Sequence, residues 1–133
     1  MHVRMARHTS RLTELVGFYR DGLGLRELGR FEDHDGYDGV FLDLPGTNAH
    51  LEFTTGGGQS APAPHEETLL VLYLGGEQAV AEACRRTGAQ QVDPANPYWR
   101  RTGVTLLDPD GFQVVLVPTN VVLSGHNQRN STH

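Results

Sequence analysis

The chain has 133 residues, enough for one domain with its own core, and 38% hydrophobic against 20% charged residues, ordinary for a globular protein. All 11 basic residues are arginine, which excludes Schiff-base lysine chemistry, a pyridoxal-phosphate anchor and a P-loop lysine. A formal net charge of −5 argues against nucleic acid as partner, and the single cysteine, Cys84, excludes an internal disulfide or a cysteine-cluster metal site.

In chain order, the opening "MHVRMARHTS" carries no apolar signal-peptide core, so a cytoplasmic location is expected. It contains a strand from Val3 to Arg7. Leu12, Leu15, Val16 and Tyr19 then recur at helical spacing, with Ser10 as the expected N-cap and Gly22 as the expected stop. Strands are predicted at Arg26–Phe31, Val40–Leu44 and His50–Thr54, and the segment "HDGYDG" between the first two reads as a glycine-flanked loop. "TTGGGQSAPAPHEE" reads as a linker. Beyond it come a strand at Leu69–Leu74 and a helix at Glu77–Thr87 ended by Gly88, with Cys84 on its apolar face as a small core residue. Three more strands follow at Gln90–Val92, Val104–Leu107 and Phe112–Val117. The longest apolar run, Leu69 to Leu74, is far too short to span a membrane, and the polar tail "SGHNQRNSTH" is expected to fray.

Strand, helix and about three strands thus occur twice, an internal repeat of the βαβββ type. The expected organisation is one α+β domain over residues 1–120. Module one covers about 1–55, a linker about 56–67 and module two about 68–120, with a flexible tail at 121–133. Two such modules can enclose a cleft between curved mixed sheets.

Three stretches carry a resemblance: "LVGFYRDGLGL" (Leu15–Leu25), "HLEFT" (His50–Thr54) and "LLDPDGFQVVLV" (Leu106–Val117). In that order and spacing the chain resembles the vicinal oxygen chelate superfamily, which includes glyoxalase I, bleomycin-resistance proteins and extradiol dioxygenases. The resemblance implies the two-module fold, a small-molecule ligand and a homodimer. In metal-dependent relatives the ligands come from the first and last strands of each module. Carried over, these positions are Arg4 (or Val3, with one residue of slack), Glu52, Leu69 and Val115. Only Glu52 has a metal-capable side chain, whereas transition-metal sites normally need three or more protein ligands of the N, O or S type. No cofactor is therefore expected, although a divalent transition metal could return if Glu52, His50 and His8 rebuilt a site. His50 and Glu52 share one strand face by alternation.

Glu52 has two readings: a general base in an apolar cleft, or the partner of an arginine such as Arg4. His50 is either a ligand contact or a rim residue. His34, with Asp33, Asp35 and Asp38, either holds a cation, covers a substrate or is simply solvated. Tyr37, Tyr73, Tyr98 and Trp99 offer flat, partly polar surfaces to a planar ligand, or else cap the core. Tyr73 shares strand parity with Leu69 and Val71, and Gln113 shares it with Val115 and Val117, so these should face the cleft. Arg100 and Arg101 could grip a carboxylate or remain solvated. Three functions stay open: a metal-free protein binding a small organic molecule such as an aromatic one, a lyase, isomerase or dioxygenase that uses Glu52 as metal ligand or base, or an interaction module whose cleft is filled by its own side chains.

Overall fold

Why both halves fold alike is visible in how each module places its first strand. In the computed structural model, which describes residues 1–120, β1 (Val3–His8) runs parallel beside β4 (Ala49–Gly56). The strands β2 (Glu27–His34) and β3 (Tyr37–Leu44) complete an antiparallel meander, giving the order β1-β4-β3-β2. The second sheet repeats this order as β5-β8-β7-β6, from β5 (Leu69–Tyr73), β6 (Gln91–Val92), β7 (Val104–Leu107) and β8 (Gln113–Val117). Each parallel pair needs a crossover, and a helix supplies it: α1 (Leu12–Val16, continuing to Gly22) and α2 (Glu77–Thr87). The α+β class and the repeat follow the sequence pattern. The polar tail reading, at 121–133, lies outside the described residues.

One continuous core joins the modules. Leu15, Val16 and Tyr19 from the first crossover meet Val40, Leu42, Leu51 and Phe53 of the first sheet and Leu106, Val114 and Leu116 of the second, all buried. Cys84 packs against this core, and burial pushes its thiol up, which opposes a reactive thiolate.

The structure departs from the expected elements in five respects. Ser10 is not the N-cap: α1 starts one residue later, with no side-chain cap, and the buried Thr9 hydroxyl accepts the Arg11 N–H at 2.9 Å. From Gly17 to Gly22 the turns widen to π-helical bonding, the Leu23 N–H reaching the Phe18 carbonyl at 2.9 Å. Gly22 is not the stop; Gly24, with φ of 81°, takes the left-handed conformation. Gly22 is needed for close approach, since a Cβ there would stand 2.5 Å from Thr87 Cγ2 on α2. "HDGYDG" is a tight hairpin, not a loop: Asp35 and Gly36 make a two-residue turn with φ of 54° and 85°. "NPYWRR" (Asn96–Arg101), which reads in sequence as a loop before the next strand, is a short helix, α3 (Pro97–Thr102), with Asn96 Oδ1 accepting the Tyr98 N–H at 3.0 Å and proline at its first position.

A buried ionic cluster ties the modules together. Asp108, opening the β7–β8 turn, has a fully buried carboxylate. Its Oδ1 accepts the N–H groups of Asp110 and Phe112 at 2.8 and 3.0 Å, which shapes the turn. Its Oδ2 accepts the Tyr19 hydroxyl at 2.7 Å and an Arg7 guanidinium hydrogen from module one. The guanidinium lies 3.8 Å from the centre of the Phe112 ring and 5.3 Å from that of Phe53. Every lone pair that burial strips of water thus has a donor, which is what makes a buried carboxylate tolerable.

Gly22→Ala should destabilise the protein by about 1–3 kcal/mol in chemical denaturation. Gly17→Ala is its control: Gly17 is helical, nothing stands within 4 Å of its Cβ position, and the change should stabilise by about 0.5–1 kcal/mol. Equal effects would refute the close-packing role of Gly22. Burial, and then the charge of Asp108, push the Tyr19 phenol well above its ordinary value of 10.0. A raised folded value means the stabilisation is fully present below that ordinary value and is lost as pH rises through the folded one. Tyr19→Phe should therefore cost about 1–3 kcal/mol at neutral pH and flatten the alkaline loss of stability. An unchanged alkaline limb would place that titration elsewhere.

Candidate functional site

Alternation along β1 and β4 builds the first candidate surface. Their parallel register sets Arg4 opposite His50, Ala6 opposite Glu52 and His8 opposite Thr54, while β3 brings Phe41 beside Glu52 and Asp43 beside His50. Leu51 and Phe53 point the other way, into the core. Arg4, rather than Val3, therefore shares the face with Glu52.

On this face the polar groups satisfy one another. Arg4 Nη1 stands 3.4 Å from Glu52 Oε1, and Arg4 Nε donates to His50 Nε2 at 3.1 Å. The guanidinium also covers the Phe41 ring at 5.1 Å. A guanidinium can only donate, so His50 Nε2 must present a lone pair and its proton must sit on Nδ1. That Nδ1 lies 2.8 Å from His2 Nε2 and donates to it. Of the two readings of Glu52, the geometry is that of the ion pair. His50 is buried at the centre of the cluster rather than on a rim.

His8 stands one pair further along, its Nδ1 2.9 Å from Thr54 Oγ1 and its ring edge-to-face with Tyr37 at 5.8 Å. Both His50 nitrogens and one of His8 are thus engaged. Among the described residues, no three His, Cys, Asp or Glu side chains converge to hold a metal. His34 is a solvated side chain 3.9 Å from Asp35, and Asp38 is occupied by the Asp33 N–H at 2.8 Å.

The second module offers a different surface. Leu69, Val71 and Tyr73 pair with Gln113, Val115 and Val117. Val115 is fully buried, its Cγ1 3.4 Å from where a Cβ on Gly103 would stand, just beyond α3. Tyr73 is half-exposed, and burial and then Tyr98 push its phenol up, which places the two rings within electrostatic reach. Tyr98 in turn meets Trp99 edge-to-face at 4.8 Å. Tyr37 stands instead with His8 on module one. Arg100 is engaged by Asp93 at 2.7 Å, holding that carboxyl below its usual range, and Arg101 is exposed.

Two cavities open where the modules meet. A groove of about 500 Å³ runs between the Leu23–Leu25 and Leu44–Thr47 turns of module one and β5 of module two, with Tyr73 on its wall. A smaller cavity, about 130 Å³, lies further along β5 and includes Leu69 and Gln113. The predicted residues therefore fall into three groups: the Arg4–His50–Glu52 face with His8 and Tyr37, the Tyr73–Tyr98–Trp99 cluster beside buried Val115, and the inter-module pair Leu69 and Gln113. Sequence reasoning missed Arg7, Tyr19 and Asp108. An arginine at an apolar-facing position of β1 and an acid opening the "DPDG" turn were the available signals.

Residues 3–54 match the YycE-like N-terminal domain family and residues 67–118 the YycE-like C-terminal domain family, so the two matches coincide with the two structural modules. The uncharacterised protein YycE of Bacillus subtilis (strain 168) is 44% identical over 119 residues, 86% of each chain. The crystal structure of a Bacillus subtilis YycE protein of unknown function superposes with a TM-score of 0.86 at 41% identity, covering 92% of this chain and 93% of that one. At the level of fold alone, the trypanothione-dependent glyoxalase I of Leishmania major matches with a TM-score of 0.64 at 21% identity, over 90% of this chain and 86% of its own. The fosfomycin resistance protein FosX of Listeria monocytogenes gives 0.63 at 14%, over 91% and 93%. The residues at the four superfamily metal positions do not fit a metal: a paired cation at Arg4, its own counter-ion at Glu52, and two apolar side chains at Leu69 and Val115. With both modules matched in order, the chain belongs to the YycE-like family, within the vicinal oxygen chelate superfamily.

Proposed function

We propose that this protein binds a small organic molecule, without a metal, in the groove between its modules, acting in the cytoplasm as a homodimer. The observation that carries the proposal is the groove itself. Its volume of about 500 Å³ is that of a site for a drug-sized ligand. Leucine and valine side chains line it and one half-exposed tyrosine can orient a planar or polar group, the usual division of labour in such sites. The pairing of Glu52 with Arg4 weighs toward binding and away from proton transfer, because a base must be free to take a proton. No helix among the described residues is long and apolar enough to cross a membrane. The dimer is supported by β1, an edge strand that exposes Val3 and Met5 beside its unpaired backbone.

A thermal-shift and calorimetric screen of neutral and cationic aromatic compounds, run with and without chelator, tests the ligand reading. Hits should bind equally well in both conditions. Tyr73→Ala should weaken them about tenfold or more, and Pro45→Trp should block the groove. Binding that needs stoichiometric transition metal and disappears in Glu52→Gln would overturn the proposal. For the dimer, light scattering should give twice the chain mass for the native protein and a shift toward monomer in Met5→Glu; a native monomer would refute it.

A further inference from the structure

The strand β5 walls the larger groove with one of its edges. Among the described residues its strand partner is β8, on the other edge, where the Leu74 N–H bonds to the Val117 carbonyl at 2.8 Å. Backbone groups alternate sides along a strand, so the N–H and C=O of Val71 and Tyr73 turn away from β8. Residues from both faces of β5, Leu70 to Leu74, line the groove, which therefore follows that unpaired edge. A row of backbone donors and acceptors along a mostly apolar groove is a template to which an extended segment adds as a strand.

The chain itself brings such a segment to the end of this groove. Because β8 runs parallel to β5, with Val117 opposite Tyr73, the chain leaves β8 beside the last residues of β5. The Asn120 carboxamide oxygen stands 3.1 Å from where a Cβ on Gly75 would be, one residue past the groove wall at Leu74. The next three residues are Val121, Val122 and Leu123, apolar and rich in strand-forming valine, and polar Ser124 and Gly125 follow. Three extended residues span about 10 Å, enough to run back past Tyr73 and Val71. So short a tether gives the segment a high effective concentration at its own groove, which favours that groove over the one on a second copy.

We propose that Val121–Leu123 seats along the unpaired edge of β5 as an added antiparallel strand, covering the groove from within the same chain. Main-chain hydrogen bonds to Val71 and Tyr73 hold it, and its side chains meet Leu25, Leu44 and Pro45 across the groove. A groove ligand has to displace this strap. That consequence rests on the groove-binding reading; the docking itself does not.

Amide hydrogen exchange of the full chain provides the test, comparing the native protein with Val122→Asp/Leu123→Asp and with Ser131→Asp/Thr132→Asp, a control of equal charge. The Val71 and Tyr73 amides should exchange about tenfold more slowly in the native protein than in the first variant, the scale of one net hydrogen bond, and the control should match the native protein. The Leu74 amide, bonded to β8, should be equally slow in all three and reports an intact sheet. A nitroxide on Ser124→Cys, in a Cys84→Ala background, should broaden the amides of residues 44–47 and 71–73 in the chain that carries it. Equal exchange at Val71 and Tyr73 in the native protein and the first variant would overturn the proposal. So would broadening found only on nitroxide-free chains mixed with labelled ones, which marks a partner's segment in the groove. A groove ligand should bind Val122→Asp/Leu123→Asp more tightly than the native protein, in proportion to how rarely the native groove stands open. Slow native exchange with no groove ligand found would uphold the docking and refute only the ligand reading.

Discussion

The contact between Arg7 of β1 and Asp108 of the β7–β8 turn fixes how the two modules meet. Neither charge could be buried alone, since desolvating one ion costs several kcal/mol in a protein interior. Asp108 must shape its own turn through two backbone N–H groups, receive the Tyr19 hydroxyl and face Arg7 at once. That combination exists only when the first crossover helix, the first strand and the last hairpin stand in one arrangement. Phe112, stacked under the guanidinium, and Phe53, close by, add apolar area to the same clamp. The inter-module groove and the smaller cavity beside Arg7 are spaces that this arrangement leaves open.

Seen from the clamp, the two faces of β1 divide the labour. Arg7 points into the core and joins the modules; Arg4, three residues earlier, points to the opposite face and closes the Glu52–His50 cluster. Where the superfamily's metal would need free electron pairs, this chain supplies a cation that consumes them. Leu69 and the buried Val115, at the equivalent places in module two, offer no donor atom. The fold's metal chemistry thus has no donor set at its usual place. The proposed binding of an organic molecule rests instead on the groove between the two modules.

Much of this was legible from local patterns. The internal repeat, the two crossover helices and the Gly88 stop follow from periodicity and turn chemistry, and the shared face of His50 and Glu52 follows from alternation in β4, whereas Arg4 rather than Val3 joins them only through the register of β1 on β4. The features that could not be read are those made by distance in sequence or by a single atom's clearance. Tyr19 meets Asp108 across 89 positions, and no local pattern marks such a partner. Gly22 looked like a stop because glycine usually is one; only the approach of Thr87 shows that it is there for want of a side chain. The Asn96–Pro97 start of α3 is a cap legible in the sequence, though the helix it begins has only six residues. Tyr37 and Tyr73 were grouped by chemistry, yet they belong to different modules and different surfaces.

The hydrogen-bonded state of His50 tests most directly whether the first-module face is a closed polar cluster or an open ligand set. Imidazole nitrogen NMR, recorded where neutral histidine dominates and repeated with one equivalent each of zinc, nickel and manganese, distinguishes them. Arg4 donating to Nε2 requires a neutral His50 with its proton on Nδ1, and signals that added metal leaves in place. A proton on Nε2, or a His50 signal that shifts stoichiometrically with added metal, would contradict it.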